Sequence, residues 1–441
     1  MAKENIAKSR LGMLFDQGSF TEIGRLSGTK GAEESVVAAT GYVNGSPVIA
    51  FAQNAGAMGK ADMAKIKKAY DLAEKIGAPI VGIYDAQGVY VCEGADMLSS
   101  YGEVIAAAGR VSGVVPQISL VAGACVGSCA VLANLADIVV MAADAELCIA
   151  SAKLCGDKEN KVGTAEAAAK NGTAACVCEN VEAAVAKVAE LLTFLPMNNL
   201  SATCVADYIP SCAAAKKGCS ADELAASIAD AESTVELFAD HAKRVSTSFA
   251  RIGGYVAGII TVRGAICGTC SKKVARFVRL CDAFSIPVVT VMDSEGVEVD
   301  KDMELAGGMK GIAILTHAYA EATTAKITVI CNNAVGASAM AMAGKNADVV
   351  FATEGSVVSA LKVSAAVQLL YSDRLAAGEA RADLEKEYAA NEGSAEKAAE
   401  CGYVDDVVAA DAVAAKVLAA MEMLSSKRVS TLDKKHSNMP F

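Results

Sequence analysis

Two stretches of this 441-residue sequence could hold developing negative charge without a single basic side chain. The first reads Ala122-Gly-Ala-Cys-Val-Gly127-Ser128-Cys-Ala, and the second Asn332-Asn-Ala-Val-Gly336-Ala337-Ser338-Ala-Met340. Only small residues occupy each turn, so backbone N–H groups can approach a ligand unobstructed. Amides at a helix start have no acceptor within the helix and present the positive end of its dipole. Such donors stabilise an oxyanion or enolate that forms during a reaction. Small residues would also let a strand and a helix pack closely, and a single copy favours that structural reading. Two copies at equivalent places bring the two readings level.

Side-chain chemistry is otherwise thin. The histidines are His241, His317 and His436; the first and last read as solvated, and His317 as a half-buried residue rather than a base. No nucleophile elbow, phosphate-binding loop or dinucleotide fingerprint occurs. Asp85 and Asp293 end apolar runs and read as turn-forming residues, with Gly88 and Gly296 needing unusual dihedrals. Cys267-Gly-Thr-Cys270 is the one Cys-x-x-Cys motif, and with no second motif nearby no metal is expected. Cys176-Val-Cys178 reads as strand packing.

The elements that must position these groups come in two sets. Residues 79–89 and 287–297 share Pro, Asp and Gly at a spacing of 208 (Pro79 and Pro287, Asp85 and Asp293, Gly88 and Gly296), and Gly127 matches Gly336 at 209. The chain is therefore an internal duplication of about 210 residues. A turn-rich stretch puts the boundary near residue 215, giving domains 1–215 and 216–441. Each half predicts a strand (48–53, 256–262), a helix (61–76, 271–284) with Lys and Arg outward (Lys65, Lys67, Lys68; Lys272, Lys273, Arg276, Arg279), and an apolar strand (79–84, 287–292). A further helix leads to the strand (118–122, 327–331) that enters the small-residue turn. Apolar strands alternating with helices imply an α/β fold with parallel pairing buried on both faces.

Composition narrows the function. Hydrophobic residues make up 53% against 21% charged, which excludes a disordered chain. The net charge of −11 argues against a nucleic-acid or anionic-membrane partner. The amino terminus has no apolar leader core, and 15 cysteines without one read as reduced thiols of a cytoplasmic protein. The uncharged runs 110–137 and 326–345 are long enough to span a membrane. Pro116, Gln117, Ser119, Asn332, Asn333 and Ser338 interrupt them, so each reads as a buried strand followed by a buried helix.

Longer motifs carry a family resemblance. Phe249-Ala-Arg-Ile-Gly-Gly254, the run from Lys273 to Pro287, the run from Ala318 to Val329, Leu195-Pro-Met-Asn-Asn199 and Lys435-His-Ser-Asn-Met-Pro-Phe441 resemble biotin-dependent acyl-CoA carboxyltransferases of the propionyl-CoA, acetyl-CoA and methylmalonyl-CoA types. The resemblance runs over nearly the whole chain. It implies two tandem crotonase-like ββα-spiral domains, and an active site between the first half of one subunit and the second half of another. It also implies a dimer-based homo-oligomer, commonly a ring-shaped hexamer. The implied reaction moves a carboxyl group between carboxybiotin, borne on a separate biotin carboxyl carrier protein, and the α-carbon of an acyl-CoA. Biotin carboxylase or decarboxylase subunits would be the further partners. By motif position the amides of Gly127 and Ser128 form one oxyanion hole and those of Ala337 and Ser338 the other. Gly88, Val89, Gly336 and Met340 line the cofactor and acyl-CoA sites, with Met340 where the family tunes acyl size.

The sequence departs from the family at ligand-facing places. Ser128 and Ala337 stand where the family has the second glycine of each hole, and Tyr90 replaces an arginine in Asp85-Ala-Gln-Gly-Val-Tyr-Val-Cys-Glu-Gly94. Asp293-Ser-Glu-Gly-Val-Glu-Val-Asp300 replaces a Pro-Gly loop. These changes motivate an alternative, a catalytically silent paralogue acting as a structural subunit. A hydratase of the crotonase type would need a glutamate pair, for which Glu93 and Glu103 are the candidates.

Overall fold

The computed structural model describes residues 5–25, 35–211 and 213–440. Residues 1–4 of the segment read for a leader, and Phe441 of the C-terminal motif, lie outside them. Among the described residues no helix is long and apolar enough to cross a membrane. Two compact units divide the chain.

The first unit has a seven-stranded sheet. Thr21–Ile23, Val36–Val43 and Ser46–Gln53 form an antiparallel edge. Ile80–Tyr84, Gln117–Val121, Ile138–Ala142 and Cys176–Cys178 then add in parallel. The register is continuous: Ile49 faces Ile80, Ile80 faces Gln117 and Ile118 faces Ile138. Ile80–Tyr84, Gln117–Val121 and Ile138–Ala142 are buried at every position. Each is covered on both faces, which is why Ile80–Tyr84 and Ile138–Ala142 read as unbroken apolar runs. Burying one large aliphatic side chain contributes about 1.5–3 kcal/mol, so these strands are a main source of the unit's stability.

The second unit repeats the plan in Val235–Leu237, Val245–Ile252, Tyr255–Arg263, Val288–Ser294, Lys326–Val335, Val349–Thr353 and Asp406–Val408, with the same order and directions. The expected helices are Lys60–Ile76 and Gly268–Ala283. Both uncharged runs are a buried strand and a short helix, Ser128–Asn134 in one and Gly336–Met342 in the other. Gly88 and Gly296 take φ of 115° and 102°, as expected.

By contact the units divide between Cys204 and Val205, with Phe238–His241 in the first unit. The segment after 204 joins the second unit because Ala206 donates to the Gly254 carbonyl and Ala231 to that of Ile209. Lys65 and Lys273 do not face outward. Both are buried, and their Nζ atoms donate to the carbonyls of Val36 and Val245, where a hairpin strand starts in each unit. The long stems pack with the apolar face while the ammonium finds a backbone acceptor. His241, read as solvated, is half-buried, with its Nδ1 2.8 Å from the Lys170 carbonyl, while His317 is half-buried on the helix Met309–Glu321.

Candidate active site

At the first corner the chain leaves Gln117–Val121, forms the short strand Ala124–Val126 paired with Glu146–Cys148, and turns at Gly127 into Ser128–Asn134. Gly127 has φ 69° and ψ −133°, a conformation essentially reserved for glycine. Its N–H donates to the Cys148 carbonyl at 3.0 Å. Gly127 therefore shapes the corner, and its amide is not the free donor expected of it. The amides that start the helix without a helical acceptor begin with Ser128, whose side chain is exposed. Burial pushes the neighbouring Cys148 thiol up to about 11, helped by its bond to Glu146, so it stays neutral near pH 7.

Asp85 holds this corner in place. Its Oδ1 accepts the Ala124 N–H at 3.3 Å, and its Oδ2 accepts Arg10 Nη1 at 2.8 Å. Arg10 Nη2 reaches the Ala122 carbonyl at 3.3 Å, while Gln53 Oε1 accepts the Asp85 N–H at 2.9 Å. Arg10 and Asp85 are both buried. A Cβ on Gly123 would lie 2.3 Å from the Asp85 carboxyl carbon, which is why that residue is glycine. Asp85 is thus a buried clamp across two loops. Removing one member of such a pair costs about 3–5 kcal/mol.

Gly88 and Val89 lie on Ala86–Val89, which pairs with Gly56–Met58 and packs beside Ala124–Val126. A Cβ at Gly88 would meet nothing within 4 Å, and Val89 is exposed, so these two candidates present an open surface in the same unit. Glu93 and Glu103 do not form a catalytic pair. Glu93 accepts the Lys60 N–H at 2.7 Å and caps that helix, whereas Glu103 is exposed.

The second corner also turns on a positive-φ glycine but is held by other means. The end of Lys326–Val335 pairs with Val357–Ser359, and Gly336 turns with φ 58° into Gly336–Met342. Here the aspartate is held by amides: Asp293 accepts Asn332 Nδ2 at 3.1 Å and Asn333 Nδ2 at 2.9 Å. The Ser338 side chain points inward. Its Oγ lies 2.7 Å from Ser294 Oγ and donates to the Val335 carbonyl at 2.9 Å. Ser338 can therefore offer a ligand only its backbone, as can Ala337. The corner opens on a cleft of about 760 Å³ lined by Gly336, Ala337, Met340, Val358, Lys345 and Tyr403. Met340 is 57% exposed, so its side chain is available to contact a ligand there.

Each unit thus brings its own candidates together. Sequence reasoning missed Arg10, Ser294 and the Cys148 carbonyl. Only the matching of Asp85 to Asp293 hinted at the supporting layer.

The chain matches the carboxyl transferase domain family over residues 2–439. It is 31% identical to the methylmalonyl-CoA carboxyltransferase 12S subunit of Propionibacterium freudenreichii subsp. shermanii, covering 98% of this chain and 91% of that one. It is also 31% identical to the methylmalonyl-CoA decarboxylase subunit alpha of Propionigenium modestum, over 98% and 93%. A hexameric transcarboxylase 12S structure with methylmalonyl-CoA bound superposes with a TM-score of 0.92 at 30% identity, over 99% of this chain and 92% of that one. Both units are therefore crotonase-like. The chain belongs to the carboxyl transferase domain family, the carboxyltransferase component of biotin-dependent acyl-CoA carboxylases and decarboxylases.

Proposed function

We propose that the two glycine corners are the two oxyanion holes of one carboxyl transfer between carboxybiotin and a short acyl-CoA, with methylmalonyl-CoA and propionyl-CoA as the pair. The observation that carries this reading is the recurrence, in both units, of a positive-φ glycine (Gly127, Gly336) at the start of a short helix whose first residues are small. One corner's amides hold the thioester oxygen as charge moves onto it from the α-carbon, and the other's hold the ureido oxygen of biotin. Ser128 supplies a donor at the first corner, Ala337 and Ser338 at the second.

The residues fit the groups they would hold. Neutral amides suit a neutral ureido carbonyl, and the alanine, valine and methionine walls beside Ala337 suit an apolar ring or acyl chain. Carboxybiotin, when bound, supplies an activated carboxyl group. Met340 limits the acyl group by bulk, and Gly88 and Val89 offer an unobstructed edge for the ligand at the first corner. The same reading gives a cytoplasmic homo-oligomer, a hexamer as in the 12S relative, whose sites pair the first unit of one subunit with the second unit of another. A separate biotin carboxyl carrier protein and a biotin carboxylase or decarboxylase subunit complete the system.

The test is to incubate the purified chain with methylmalonyl-CoA and free biotin and follow propionyl-CoA. Biotin-dependent formation is expected. A folded, assembled sample that forms none would favour the silent structural subunit.

A further inference from the structure

We propose that Cys267 and Cys270 are a redox-active dithiol, a modification site that closes to an intramolecular disulfide by exchange with low-molecular-weight disulfides. The pair begins the helix Gly268–Ala283, with Cys267 as its N-cap. The two sulfurs lie 3.2 Å apart, and Cys267 Sγ accepts the Cys270 N–H at 3.4 Å. The fold has already brought the thiols together. Their access differs as an attacking and a resolving thiol require: Cys267 is half-buried, and Cys270 is only 2% exposed.

The chemistry of the two sulfurs differs in the same sense. Partial burial disfavours the Cys267 thiolate. The hydrogen bonds from the Cys270 amide, the Cys270 thiol and the Thr269 amide outweigh it and bring this thiol below its ordinary value. Burial pushes Cys270 up to about 11, so it waits as the thiol. Metal binding does not compete, because no group of three or more His, Cys, Asp or Glu able to hold an ion occurs among the described residues.

The duplication supplies an internal control. The equivalent helix of the first unit starts at Gly59, whose N–H is capped by Asp62 Oδ2 at 2.9 Å. Helix initiation therefore does not need sulfur, and the second unit carries a thiol at both places. The exchange balances as two displacements. The Cys267 thiolate attacks one sulfur of the external disulfide, forms a mixed disulfide and expels one external thiolate. Cys270 gives up its proton, and its sulfur attacks Cys267 Sγ and expels the second. The pair loses two protons and two electrons, and one external disulfide becomes two thiols.

The dithiol is also tied to the second corner. Ile266, next to Cys267, donates to the Gly296 carbonyl at 3.0 Å and accepts from Glu298 at 2.9 Å. Ser294 Oγ, which meets Ser338 Oγ, lies 3.1 Å from the Gly264 carbonyl. Closing the disulfide constrains one end of this hydrogen-bonded chain.

The experiment equilibrates the full-length protein in buffers spanning reduced to oxidised glutathione, quenches by alkylation, and weighs the peptide 264–272. Under oxidising buffer the peptide is expected to escape alkylation and to lose two hydrogens, reversibly. Cys270→Ser is expected to leave a glutathione adduct on Cys267, and Cys267→Ser to react at Cys270 at least about tenfold more slowly. A peptide that stays doubly alkylated while exposed Cys401 takes glutathione would overturn the proposal. So would an adduct that forms faster on Cys270 in Cys267→Ser than on Cys267 in Cys270→Ser.

Discussion

The two corners both turn on a positive-φ glycine but rest on different supports. At the first, a buried Arg10–Asp85 ion pair grips the loop that leads to Gly127. At the second, Asp293 is met by two asparagine amides, and a Ser294–Ser338 hydroxyl pair braces the helix start. A duplicated unit has kept a positive-φ glycine at each corner while changing what holds it. Under the proposed function the backbone amides are the functional part, and the side chains behind them are supports that the two units have exchanged. The supports also differ in kind, one charged and one neutral, so the corners should fail differently.

The largest expected effect comes from the glycines themselves. Gly127→Val and Gly336→Val each force a β-branched residue to positive φ, and each should lower propionyl-CoA formation by about 10³-fold while size-exclusion chromatography shows assembly intact. Transfer unchanged in either folded variant would remove that corner from the site.

Next come the clamps. Asp85→Ala strands a buried guanidinium and should cost about 3–5 kcal/mol in urea unfolding. Asp293→Ala strands only neutral amides and should cost about 1–3 kcal/mol. Equal costs would break the distinction between charged and neutral supports. The serines sharpen it further. Buried Ser338→Ala should lose about 1 kcal/mol, whereas exposed Ser128→Ala should stay within about 0.5 kcal/mol.

A last prediction concerns the pH dependence set by Lys273. Burial lowers its ammonium from 10.5 to about 8. Below pH 8 both folded and unfolded chains carry the proton; between 8 and 10.5 only the unfolded chain does. The folded state should therefore gain stability relative to a Lys273→Met variant as pH rises through that window, measured by denaturant midpoints. A parallel pH profile for the two proteins would contradict the burial of this charge.

Much of this was legible in the sequence, for reasons that can be named. Strands buried on both faces leave unbroken apolar runs, so 79–84 and 287–292 were visible, and their shared Pro, Asp and Gly exposed the duplication. The corners were visible because close backbone approach excludes all but small residues. What stayed hidden depends on partners distant in sequence. The carbonyl of Cys148 takes up the Gly127 N–H, but a backbone acceptor leaves no residue signature. Arg10 meets Asp85 across 75 positions with no motif at either end. Lys65 and Lys273 were misplaced because helical periodicity marks faces by polarity and ignores how far a lysine stem can reach to a carbonyl.

The central claim is that specific peptide N–H groups do the work, and a backbone ester tests it most directly. Replacing residue 128 or 337 by its α-hydroxy acid analogue removes one N–H and leaves the side chain in place. Each substitution should lower propionyl-CoA formation by about 10²–10³-fold. The same change at Gly127, whose N–H is already bonded to Cys148, should cost stability but little transfer. Full activity with esters at 128 and 337 would contradict the account.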